Sequence, residues 1–72
     1  MPDAIGFAEM LKKLRKMKGL SQDDLAKKSG VSKSAIAIYE AKCYDKLPNY
    51  KNLDKLVNAL EIDKKKLLKF YK

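Results

Sequence analysis

The chain has 72 residues and a formal charge of +8, from 17 Lys and Arg against 9 Asp and Glu. That length allows one domain, residues 1–72, with a small core and no space for a separate sensor domain, and the charge favours a polyanionic partner. No run approaches the roughly 18 consecutive apolar residues that cross a bilayer, no basic segment precedes an apolar core at the N-terminus, and without His the lone Cys43 forms neither a disulfide nor a zinc cluster. The expectation is a cytoplasmic protein with no membrane contact, no metal and no cofactor.

Helical periodicity runs through the whole chain. The first helix is predicted from Asp3, a suitable cap, to Lys18, with Phe7, Leu11 and Leu14 on one face, Met10 and Met17 beside them as core, and Gly19 as the stop. Ser21 with Asp24 three residues on forms a capping box, so the second helix begins near Gln22. Leu25 faces inward there, Ala26 suits a close crossing, and Gly30 supplies the positive φ that ends the helix. Val31 fills the corner and Ser32 caps a third helix whose inner face carries Ile36 and Tyr39. The segment Lys42 to Asn49 reads as a loop, because Pro48 disfavours helical geometry at Leu47 and Asn49 is a good cap for a further helix. That fourth helix spans about Tyr50 to Leu60, burying Leu53, Leu56, Val57 and Leu60. Asp63 caps a fifth, predicted to run to about Phe70 with Leu67 inward. The fold class is all-α, a compact five-helix bundle.

Leu25, Ala26, Gly30, Val31, Ile36 and Tyr39, in that spacing, resemble the helix-turn-helix of the lambda-repressor-like (Cro-type, XRE) family of bacterial and phage regulators. Leu14, Arg15, Gly19, Leu20, Ser21 and Gln22 upstream look like the family's first helix and its exit. Pro48, Leu53, Leu56, Ala59 and Leu60 downstream look like its fourth helix. The likeness covers roughly residues 7–68. The chain departs from the family where Lys42 stands in place of a common Gly two residues after Glu40. A second departure is a Glu40-to-Leu53 spacing about two residues longer than in the commonest short members.

If the third helix enters a major groove of double-stranded DNA, its outward face leaves Lys33, Ser34, Ala37 and Ile38 for base contacts, and the resemblance implies the same roles. Lys33 can donate to guanine O6 and N7 or to a phosphate, Ser34 can donate or accept, and Ala37 and Ile38 offer apolar contact suited to a thymine methyl. With no Arg, Asn or Gln on this face, direct readout is expected to be modest. By resemblance Gln22 approaches a phosphate at the start of the second helix, and Lys42, Tyr44, Lys46, Asn49 and Lys51 track the sugar-phosphate backbone. Ser32 joins this phosphate-contacting set. The Lys12, Lys13 and Lys16 set is read as a solvated face, since the family's first helix usually lies behind the reading helix.

The resemblance also singles out Arg15 and Glu40 as a pair: each follows an inward residue, so both lie at the rim of the apolar face and can meet in a partly buried bidentate ion pair with a structural role, the alternative being that Arg15 touches DNA directly. One small domain with few selective contacts discriminates weakly. A two-fold dimer reading two half-sites about one helical turn apart multiplies that discrimination, and Ile62, Leu68, Phe70 and Tyr71 are the apolar candidates for its interface or for packing on the bundle. The function implied is a homodimeric transcriptional regulator, a repressor or autoregulator on a palindromic operator. The alternative is an antitoxin-like protein that neutralises a protein partner and binds DNA to control its own operon. An enzyme is excluded by inventory: no His, no clustered carboxylates on a shared face, no phosphate-cradling Gly-rich loop, and Ser residues accounted for as caps. Cys43 reads as an incidental reduced thiol.

Overall fold

Each of the first four helices starts on a side chain that accepts a hydrogen bond from its own first turn. Asp3 accepts from Gly6 N at 2.8 Å, Ser21 from Asp24 N at 3.0 Å, Ser32 from Ala35 N at 3.1 Å and Asn49 from Asn52 N at 2.8 Å. These caps open α1 (Ala4–Met17), α2 (Gln22–Ser29), α3 (Lys33–Glu40) and α4 (Tyr50–Leu60) in a computed structural model that describes residues 2–72. Met1 of the expected 1–72 domain lies outside the described residues. At α2 the box is reciprocal: Ser21 N donates to the Asp24 carboxylate at 3.0 Å, and this bond to the ionised form holds the Asp24 pKa below its ordinary value.

The helix ends are equally local. Gly19, at φ +72°, closes α1 as Leu20 N donates to Arg15 O and Gly19 N to Lys16 O. Gly30, at φ +79°, closes α2 through its amide on Ala26 O. Although Lys42 stands where a Gly is common, α3 does not extend: Ala41 is already extended at φ −91°, ψ 119°. The loop to α4 contains the left-handed Asp45 and the exposed Cys43.

The apolar stripes converge on one core. Phe7 and Leu11 of α1, Leu25 of α2, Ile36 of α3, Leu53, Leu56 and Leu60 of α4, and Leu67 are essentially inaccessible, with Leu14, Val31 and Tyr39 nearly so. Helix α1 lies against α3, and α2 packs between α3 and α4, which gives the two helices of the motif their fixed crossing. Truncating any of these side chains to Ala costs about 2–5 kcal/mol. A domain of this size holds only about 4–11 kcal/mol in total, so the core has little redundancy.

Two expectations need correction. Met17 is 70% exposed, not core. It is the last residue of α1, and the chain reverses at Lys18 and Gly19 before any neighbouring helix covers it. The fifth helix is also shorter than its periodicity suggests: α5 is Lys65–Leu68, followed by a 3-10 turn over Lys69–Tyr71. Asp63 does not sit at its N-cap position; its carboxylate accepts from Lys65 N at 3.0 Å, two residues on, while Lys66 N bonds Asp63 O. The tighter winding comes from where the last residues are anchored. Phe70 and Tyr71 both meet Phe7 edge-on, Tyr71 stacks on Tyr50, the Tyr71 hydroxyl donates to Pro48 O at 2.7 Å, and Asp3 N donates to Phe70 O at 2.7 Å. Gly6 makes room for this closure, since a Cβ there would lie 2.7 Å from the Phe70 ring. Among the described residues no helix is long and apolar enough to cross a membrane.

Candidate nucleic-acid interface

The outward face of α3 is built by what its inward face buries. Ile36 and Tyr39 are sunk in the core, and the Tyr39 hydroxyl accepts from Asn52 Nδ2 at 3.1 Å, tying α3 to α4. Lys33, Ser34 and Ala37 are consequently exposed on the opposite face, with Ile38 half-buried at its edge. Of the four, only Lys33 has a long polar reach. Its ammonium lies 3.3 Å from the carboxylate of Asp23 in the first turn of α2, an exposed pair that sequence patterning did not single out. Asp23 offers no periodic signal; the crossing of α2 and α3 alone makes the two neighbours.

The angle of α3 is held by a nearly closed polar network. Arg15 Nε and Nη2 donate to the two Glu40 oxygens at 2.7 and 3.0 Å, and Arg15 Nη1 donates to Leu20 O at 2.7 Å. The side chains are only 9% and 3% exposed. The hydrogen bond to Glu40 raises the Arg15 pKa further, against the opposing effect of burial. One guanidinium thus joins α1, the turn into α2 and α3. Gln22 completes the network: its Nε2 donates to Glu40 Oε1 at 3.2 Å. That bond uses one of the two amide hydrogens and leaves the other for an outside acceptor, so the side chain expected at a phosphate is anchored on α3.

The remaining expected phosphate contacts are spread along the surface. Ser32, Lys42, Tyr44, Lys46, Asn49 and Lys51 all lie there, with Lys42 the most tied down of the six. The Ser32 and Asn49 oxygens serve as caps, which leaves the Ser32 hydroxyl hydrogen and the Asn49 amide free to donate outward. Lys42 is tethered to Glu9 of α1 at 2.8 Å. At the C-terminus Phe70 and Tyr71 are half-buried and engaged with Phe7, whereas Leu68 sits in a shallow depression of about 310 Å³ flanked by Lys65, Lys69 and Lys72. Ile62 is also half-buried against the core. Burial, followed by the nearby Tyr39 and Tyr50, pushes the Tyr71 phenol well above its ordinary value.

A helix-turn-helix family profile matches residues 11–67, from the second turn of α1 to α5. The chain belongs to the helix-turn-helix family. Within that family, an uncharacterized HTH-type transcriptional regulator, YqaE of Bacillus subtilis (strain 168), is 40% identical over 63 residues, covering 88% of this chain and 53% of the relative. The chain therefore spans about half the length of that regulator. The crystal structure of the restriction-modification controller protein C.AhdI from Aeromonas hydrophila superposes with a TM-score of 0.81 at 34% identity, covering 89% of this chain and 94% of that one. The all-α helix-turn-helix architecture expected from the motif is thus the observed one.

Proposed function

We propose that the chain is a DNA-binding transcriptional regulator that places α3 in the major groove of a palindromic operator as a homodimer, acting as a repressor or autoregulator from the cytoplasm. The observation that carries this reading is the α3 face itself. Lys33, Ser34 and Ala37 stand exposed on a helix whose orientation is held by the buried Arg15–Glu40 pair, with the Gln22 amide anchored at the start of α2. A recognition helix needs such rigid presentation, because base-edge contacts tolerate little angular error. Residues 1–72 act as one DNA-binding domain. Gln22, Ser32, Lys42, Tyr44, Lys46, Asn49 and Lys51 position it on the phosphates, and Leu68 and Ile62, with the edges of Phe70 and Tyr71, form the dimer contact.

The test is selection of duplexes from a randomised library, followed by footprinting with the wild type and the Lys33→Ala/Ser34→Ala variant. A protected palindrome lost in the variant supports the reading; protection that the variant leaves unchanged overturns the role given to α3. Sedimentation of the free protein checks the dimer, with Leu68→Glu expected to yield monomers.

A further inference from the structure

Where α1 lies against α3, its surface forms a groove of about 310 Å³ lined by Glu9, Lys12, Lys13, Lys16, Glu40 and Lys42. Four ammonium groups therefore border one small depression with two carboxylates. The Glu40 oxygens are already taken by Arg15 and Gln22, and its side chain is 3% exposed, so that charge is not offered to the lysines. Only Glu9 is left, and it is engaged by Lys42 at 2.8 Å. Lys12 and Lys16 stand one turn apart on the same helix face, an arrangement of like charges that weakens an isolated helix. The groove thus carries a surplus of positive charge that the protein does not compensate.

Its position gives that surplus a use. Lys42 lies two residues past the end of α3, where the chain turns toward the loop that runs along the DNA backbone in the reading proposed above. The groove joins Lys42 directly to α1, so the basic surface does not stop at the loop but continues across Lys12 and Lys16. We infer that the α1 groove is a second phosphate-binding surface, which takes the sugar-phosphate backbone flanking the site read by α3 through Lys12, Lys16 and Lys42. Lys13 contributes from its edge. The occupant is the DNA backbone rather than a small anion, because exposed lysine side chains line an open trough that takes in Lys42 of the α3–α4 loop and presents no enclosed cradle of buried donors. These contacts carry no base information; they add affinity and lengthen the footprint. This inference rests on the proposed function, and sequence alone argues against it, since helix 1 of the family usually lies behind the reading helix.

The test compares the wild type with Lys12→Gln/Lys16→Gln, and with Lys27→Gln/Lys66→Gln as a control of equal charge loss outside both the DNA-contacting and the dimer-contact sets. All four positions are exposed, so both variants are expected to fold, which circular dichroism checks. Binding to a duplex selected by the wild type is measured across a salt series, with ethylation interference to map phosphates. Losing two phosphate contacts should lower the slope of log K against log salt by about 1.8, from a contribution of about 0.9 per contact in duplex DNA. Affinity at moderate salt should fall by one to two orders of magnitude, base preference should stay unchanged, and interference at two flanking phosphates should vanish. A slope equal to that of the wild type or of the Lys27/Lys66 control overturns the inference. If the wild type proves to bind all duplexes alike, the operator reading fails by itself, and the same slope comparison on an arbitrary duplex still decides the groove. If it binds no duplex, both fall.

Discussion

Replacing Glu40 with Ala isolates the interaction on which the orientation of α3 depends. The substitution removes three hydrogen bonds, from Arg15 Nε at 2.7 Å, Arg15 Nη2 at 3.0 Å and Gln22 Nε2 at 3.2 Å, and leaves the guanidinium with Leu20 O as its remaining acceptor. With the Arg15 side chain 9% exposed, the uncompensated charge must either stay partly desolvated or drag its stem out of the interface with α3. Breaking a buried pair in this way costs about 3 kcal/mol, where an exposed pair costs less than about 1 kcal/mol. For a domain of this length, that corresponds to a fall in Tm of roughly 12–24 °C. The chain has no Trp, so urea unfolding is best followed by far-UV circular dichroism. Arg15→Met/Glu40→Leu is the decisive companion, because replacing both partners with apolar groups removes the desolvated charge, and the double variant should recover most of the lost stability. It should bind a selected duplex less well than its stability implies, since the bidentate geometry that sets the α3 angle is gone. A loss below about 1 kcal/mol for Glu40→Ala, or a double variant as unstable as the single, would refute the buried-network account.

Other consequences can be checked independently. Asp23→Asn frees the Lys33 ammonium from its 3.3 Å partner and removes a negative charge from the proposed DNA-facing surface. Non-specific affinity should rise roughly fivefold and the ratio of specific to non-specific binding should fall, as measured by competition with bulk duplex DNA. Because the Tyr71 pKa is raised in the folded state, its stabilising contribution is fully present below the ordinary phenol pKa of about 10 and is lost as pH climbs above it, where only the unfolded chain ionises readily. Tyr71→Phe should forfeit about 1 kcal/mol at neutral pH with the bond to Pro48 O, yet show a shallower loss of stability above pH 10; identical alkaline limbs would count against the assignment. Glu61 ends α4 in the left-handed region at φ +56°, while its contact with Lys28 is exposed. Glu61→Gly should therefore raise stability by about 1 kcal/mol in thermal melts, net of a weak surface pair.

The parts of the candidate interface legible in the sequence were those whose cause is local. A capping box needs residues three apart, a helix end needs a residue that tolerates positive φ, and the outward face of α3 is what remains when Ile36 and Tyr39 turn inward. Hence the starts of four helices and the exposure of Lys33, Ser34 and Ala37 could be read directly. Even a pairing 25 residues apart, Arg15 with Glu40, was accessible, because the family resemblance singles it out and each sits beside an inward residue on its helix. Asp23 against Lys33, the Gln22 amide on Glu40 and the meeting of Lys12 and Lys16 with Lys42 were not, since each depends on how far two helices cross rather than on either helix's pattern.

The sequence by itself therefore determined which segments are helical, where most begin and end and which faces are buried, because caps, glycines and periodicity act over one or two turns, while the spacing of Leu25, Ala26, Gly30, Val31, Ile36 and Tyr39 carried the helix-turn-helix resemblance. Only the tertiary structure decided how those faces are used. Met17 keeps the phase of a core residue but lies past the last covering neighbour. Phe70 and Tyr71, which the sequence leaves open to a dimer interface or to packing on the bundle, close onto Phe7 through a gap that only Gly6 leaves open. The physical reason is the same in each case: burial and charge pairing depend on distances between elements, and these are set by side-chain volumes packed across the whole core.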